Sequence, residues 1–102
     1  MSGLGRNAPV ETQVRNNREQ SRYELLLDAV VVGVADYRRE GDTLVFPHTE
    51  VKASLRGRGM GARLVQGALD DARAGGHKVV PRCWYVAEFI DANPEYRDLL
   101  AA

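Results

Sequence analysis

The sequence predicts an α+β domain: a mostly antiparallel sheet, a β-α-β crossover and a C-terminal helix. Three observations carry that expectation. The first half of the chain alternates apolar and polar residues at strand period, broken by short turn signals. The second half changes to helical period, with Met60, Leu64, Val65, Ala68, Leu69 and Ala72 on one face. Between the halves stands RGRGMGA, residues 56–62, a turn with three glycines at alternate positions.

Each element has its own signal. Residues 1–11, MSGLGRNAPVE, are small and polar and read as a flexible tail, with residues 12–102 as the folded domain. Val14 opens a strand, Asn16-Asn17 offers a turn, and residues 21–27 set Tyr23, Leu25 and Leu27 opposite Arg22, Glu24 and Leu26. Asp28-Ala29 is a tight link into the valine-rich residues 29–38, where Gly33 marks a bulge or a close approach. Glu40-Gly41-Asp42 is a hairpin turn. Residues 43–52, TLVFPHTEVK, form a further strand in which Pro47 cannot donate to a hydrogen-bond ladder. Past the first helix, Gly75-Gly76 supplies its end and HKVVPR, residues 77–82, a short strand closed by Pro81. A second helix runs from about Trp84 through Val86, Phe89 and Ile90 to Asn93-Pro94, and residues 96–100 make a last turn.

Composition narrows the function. A chain of 102 residues, 44% hydrophobic, buries one core and leaves no room for a separate substrate domain. Fourteen basic and fourteen acidic residues cancel, so no global field recruits nucleic acid or an anionic membrane. No apolar run approaches the ~18 residues of a membrane span. The N-terminus lacks the apolar stretch of a secretory signal, so a cytoplasmic protein is expected. One cysteine, Cys83, excludes an internal disulfide and a cysteine-only metal site. No His/Cys/Asp/Glu cluster has metal-ligand spacing, so no metal is expected.

The glycine turn carries the functional signal. Without Cβ atoms its backbone N–H groups can approach a ligand, and a helix beginning there offers a positive dipole end to phosphate. Arg56, Arg58 and Arg63 add charge. A nucleotide P-loop would need Lys-Ser/Thr after the last glycine, where this chain has Ala62-Arg63. Gly57, Gly59 and Ala62 satisfy a dinucleotide fingerprint in form, but the acidic residue expected about twenty positions on is missing. A third pattern, R-x-x-G-x-G on Arg56, Gly59 and Gly61, has suitable neighbours on both sides.

VKASLRGRGMG, residues 51–61, resembles the acyl-CoA-binding motif of the GNAT superfamily of N-acetyltransferases. Ala53 departs from it, since many members have proline there. PHTEV at residues 47–51 and PRCWY at residues 81–85 are similar to the minimal, single-domain, cysteine-containing group within that superfamily. The resemblance covers about residues 23–96 and implies a minimal GNAT-like fold. It implies that the strand before the glycine turn splays from its neighbour and receives the pantetheine arm of acetyl-CoA. Backbone groups of Thr49, Glu50 and Val51 would then meet the pantetheine. Arg56, Gly57, Arg58, Gly59, Met60, Gly61 and Ala62 would hold the pyrophosphate, the arginine side chains either serving phosphate or staying solvated.

The resemblance also places Cys83 and His48 near the thioester as catalytic candidates. Cys83, at the start of the last helix, is either a reactive thiol favoured as thiolate or a buried spacer beside Trp84. His48 is either a general base or a structural imidazole. Acetyl would pass to an amine directly or by way of acetyl-Cys83. Glu50 is more often solvent-facing than a base, His77 reads as a helix-end or loop residue, and Trp84, Tyr85 and Phe89 as core or pocket wall. The pair Asp70-Asp71 reads as a solvent face. The short N-terminal segment leaves the acceptor side open, which suits a protein or peptide amine, or a site shared in a dimer, better than an enclosed small metabolite; a monomer or a homodimer is expected. The opposing class is a CoA-binding sensor or interaction module with little catalysis.

Overall fold

The computed structural model describes residues 11–102, so the tail read over residues 1–11 lies outside the described residues except for Glu11. Five strands make one sheet in the order β1-β2-β3-β4-β5. They are β1 (Thr12–Asn17), β2 (Arg22–Leu27), β3 (Val30–Glu40), β4 (Thr43–Val51) and β5 (Lys78–Pro81). Neighbours from β1 to β4 are antiparallel, and β5 lies parallel to β4 after helix α1 (Met60–Ala74) crosses over. Helix α2 (Trp84–Ala92) follows, with 3-10 turns at Ala53–Leu55 and Pro94–Leu99. The α+β architecture expected from the sequence is the one observed.

Local chemistry accounts for the connections. Asp28 and Ala29 both have positive φ, 49° and 71°, which closes a two-residue hairpin between Leu27 and Val30. Asn16-Asn17 is not a turn: β1 runs through both, and residues 18–21 make the bend. The reason is Asn17, whose Oδ1 accepts the Gln20 N–H at 3.1 Å while its Nδ2 donates to Glu24 at 3.0 Å. Its side chain holds the strand end and shapes the turn after it. Gly33 justifies both readings made of it. The β2–β3 register slips beside it, and a Cβ there would lie 3.1 Å from the Glu50 carbonyl oxygen.

Both helices pack on one face of the sheet. Tyr23, Leu25, Val32, Ala35, Leu44, Phe46 and Val79 meet Leu64, Val65, Ala68, Leu69 and Ala72 of α1 and Val86 and Ile90 of α2 in one core. A Cβ on Gly67 would sit 2.6 Å from Val14 Cβ, so the missing side chain is what lets α1 close on β1. Asp70 and Asp71 are exposed, as read from the sequence, and from that solvent side they also anchor the core's tyrosines. Tyr23 donates to Asp71 and Tyr96 to Asp70, each at 2.7 Å. Tyr96 and Leu99 carry the last 3-10 turn into the core, and Ala101 N–H bonds the Val79 carbonyl at 3.0 Å along the outer edge of β5.

Among the described residues the opposite face carries no helix. Glu24 lies on it, expected to be outward and polar, yet only 1% exposed. Burial raises the cost of its charge, but hydrogen bonds from Asn17, Arg15 and Arg22 outweigh that and hold its carboxyl down at about 2. No helix among the described residues is long and apolar enough to cross a membrane.

Candidate functional site

The site begins where β4 and β5 part. Their parallel ladder runs only from Thr43 opposite Lys78 to Phe46 opposite Pro81. Pro81 ends β5, and Cys83 N–H donates to the Phe46 carbonyl at 2.8 Å before α2 turns away. Meanwhile β4 continues to Val51, paired with β3 alone. Pro47 stands at that junction. The β3–β4 register shifts between Asp36 and Arg38, which leaves Phe46 and Pro47 together opposite Tyr37. Proline removes a ladder donor, and the bulge bends the strand, so an edge of β4 past Phe46 is left without a strand neighbour.

The glycine turn follows directly. Gly57 and Gly59 take φ of 81° and 78°, a left-handed backbone that costs other residues roughly 1–2 kcal/mol each. The space beyond both is open, with nothing within 4 Å of a Cβ built there. Gly59 is the N-cap of α1 and Met60 its first residue. The helix therefore presents its unpaired first-turn N–H groups toward that open space, the arrangement that receives phosphate. Arg56 and Arg58 are exposed beside it. Arg63 is occupied elsewhere, its Nε donating to Thr12 Oγ1 at 3.3 Å on β1.

Tyr85 joins the two helix starts. A Cβ on Gly61 would stand 2.7 Å from its hydroxyl, so the ring lies over the first turn of α1. Burial, then the charge of Glu88, raises its pKa, which keeps the hydroxyl a proton donor. The sequence reads Tyr85 only as core or pocket wall and gives no sign of its contact with Gly61. Trp84 does not belong to the core or a pocket wall as expected: it is 70% exposed, because Val86 and Ile90 form the buried side of α2. Phe89 packs at the core's margin against Tyr96, ring centroids 5.8 Å apart.

The structure separates the two catalytic candidates by face. Cys83 is the N-cap of α2 and belongs to the core beneath the helices. His48 is exposed and pairs with Glu50, Nε2 to Oε1 3.2 Å, rather than with the cysteine. Thr49, between them in sequence, has Ala35 as its cross-strand partner and so faces the helix layer. Its Oγ1 is buried and has no hydrogen-bond partner among the described residues. Val51 reaches the same layer, near Gly33 and Leu64.

Two further features lie away from this notch. His77, at the end of α1, is tied to the β3–β4 hairpin through Nδ1 and the Asp42 carbonyl, 3.1 Å. A cleft of about 490 Å³ opens there, lined by Arg18, Tyr37, Arg39, Asp71 and His77 among others, at the far end of α1 from the glycine turn. Among the described residues no three His, Cys, Asp or Glu side chains gather as a metal site.

Comparison with known proteins agrees with this fold. Residues 22–99 match the family model of the GCN5-related N-acetyl-transferases. Protein NATD1 of mouse is 30% identical over 95 residues, covering 91% of this chain and 84% of its own. Protein NATD1 of chicken is 31% identical over 84 residues, covering 80% of this chain and 76% of its own. The solution structure of a GCN5-like protein from Staphylococcus aureus superposes with a TM-score of 0.66 at 18% identity, over 93% of this chain and 91% of that one.

Proposed function

The chain belongs to the GCN5-related N-acetyltransferase family, and from that premise we propose that it binds acetyl-CoA and transfers the acetyl group to an amine. The observation that supports this most is the parting of β4 from β5 immediately before the glycine turn. A pantetheine arm is an extended chain of amides, which an unpaired strand edge can bind as it would another strand. Backbone groups of Thr49, Glu50 and Val51 fit that task. The Cβ-free approaches at Gly57 and Gly59, the first-turn N–H groups from Met60 to Ala62, and exposed Arg56 and Arg58 fit the pyrophosphate.

Acetyl-CoA supplies an activated acyl group, and the protein's part is to hold it extended and to aim its thioester at the acceptor. Cys83, at the point where the strands part, either lines the acyl end or takes the acetyl group before the amine does. His48 with Glu50 stands on the helix-free face, open to bulk solvent, and suits proton uptake from an approaching amine. That open face favours an amine carried by a protein or peptide. We place the protein in the cytoplasm, as a monomer or homodimer, with residues 12–102 as its acetyl-CoA-binding domain. A second reading, a CoA-binding module with little turnover, draws on the burial of Cys83.

Calorimetric titration with acetyl-CoA tests the reading. Wild type should bind, and Gly59→Glu should bind at least about tenfold more weakly, because it sets a carboxylate and a strained backbone in the phosphate cradle. Failure of wild type to bind would sink the proposal. Intact-mass measurement after mixing with acetyl-CoA separates the two routes. No adduct on Cys83, with turnover surviving in Cys83→Ala, excludes the covalent one.

A further inference from the structure

Among the described residues, one buried side-chain polar atom lacks a hydrogen-bond partner: Thr49 Oγ1. An unpaired buried hydroxyl costs free energy, and valine has nearly the same shape with none of that cost. Valines fill the neighbouring sheet positions Val32, Val34, Val45 and Val51. A threonine standing where valine would be more stable points to a partner that arrives with a ligand.

The position says which part of the ligand. Thr49 lies past the last β4–β5 pair, so its surroundings include the unpartnered stretch of β4. A ligand's amides running along that edge are met by backbone in the plane of the sheet. The threonine side chain instead stands out of that plane, on the helix-covered face, which is the face of Cys83. His48 and Glu50, on either side of it, stand on the other face and are paired with each other. The acyl terminus is the part of acyl-CoA that must reach the layer holding Cys83.

We propose that Thr49 is a positioning residue whose Oγ1–H donates a hydrogen bond to the thioester carbonyl oxygen of bound acyl-CoA. The assignment rests on the acyl-CoA reading above. It makes the apo protein less stable than it need be and the acylated cofactor preferred over the free one.

Thr49→Val and Thr49→Ser test it through binding and melting, without recourse to turnover. Thr49→Val should melt at or above the wild-type temperature without ligand, since it removes an unsatisfied group. Its dissociation constant for acetyl-CoA should rise about five- to tenfold, the worth of one neutral hydrogen bond. Free CoA has no thioester carbonyl, and its affinity should change by less than about twofold. Thr49→Ser, which keeps the donor, should restore most of the preference for acetyl-CoA. Unchanged acetyl-CoA binding by Thr49→Val overturns the proposal, and so does an equal loss for acetyl-CoA and CoA. If wild type binds neither ligand, the acyl-CoA reading itself falls first and this assignment with it.

Discussion

Residues 43–45 of β4 are paired on both edges, to β3 and to β5, and Phe46 with β5, whereas residues 48–51 of the same strand keep only β3. The first stretch carries Leu44, Val45 and Phe46, each 3% exposed or less. The second carries exposed His48 and Glu50 and the orphan hydroxyl of Thr49. One strand is thus wall and then site. What changes between them is a neighbour: where β5 stops, backbone groups that the ladder would have used remain for something else. The site is made by ending a strand early, with Pro81 closing β5 and Pro47 bending β4 at the same level.

The largest test of that division is Phe46→Ala. Phe46 is 1% exposed, stacks on Tyr23 and lies tilted against Tyr37, ring centroids 6.1 Å away in both cases. Its truncation should cost about 3–5 kcal/mol in chemical denaturation. His48→Ala, two residues on, should stay within about 0.5 kcal/mol of wild type, as exposed positions do. Comparable losses for the two would mean that wall and site share one energetic role.

The same division explains what could be read from the sequence. Elements with a periodic apolar stripe, such as α1 through Leu64, Val65, Ala68 and Leu69, declare themselves because burial selects residue type at each position. The glycine turn declares itself too, since positive φ at Gly57 and Gly59 restricts residue choice locally. Thr49, Tyr85 and the aspartates were not readable in their roles. A hydroxyl's lack of a partner, a ring laid over Gly61, and Asp70 and Asp71 reached by distant tyrosines are facts of packing between elements far apart in sequence. Asn16-Asn17 misled as a turn because asparagine's turn signal and its ability to cap a strand end are the same chemistry.

Glycines sharpen the contrast at a smaller scale. Gly67 lies in the sealed region, where a Cβ would collide with Val14 on β1. Gly67→Ala gains about 1 kcal/mol of helix propensity and loses more to overpacking, for a net cost of about 1–2 kcal/mol. Adding Val14→Ala should recover part of it. Gly59 lies in the open region, with no atom within 4 Å of its missing Cβ. Gly59→Ala should suffer only backbone strain, which no substitution at a neighbouring side chain relieves. Thermal melts of the three variants against wild type decide the matter. A Gly67→Ala protein as stable as wild type would show that α1 does not need its close approach to β1.

The smallest effect compares two glutamates in one row across the outer face, where Glu24 and Glu50 both oppose Val34. Glu24 is enclosed by Arg15, Arg22 and Asn17, and its carboxyl sits at about 2 rather than the ordinary 4.5. A folded-state value below the unfolded one means that the ion contributes stability above about pH 4.5 and loses it as pH falls toward 2. Glu24→Gln keeps the shape and removes the charge, so it should cost about 1 kcal/mol at pH 7 and flatten that acid limb. Glu50→Gln, exposed beside His48, should change stability at pH 7 by no more than about 0.5 kcal/mol. Denaturation midpoints at pH 7, 5, 4 and 3 measure both. An acid limb that survives intact in Glu24→Gln would show that the buried cluster is held by packing around the arginine stems and not by its charge.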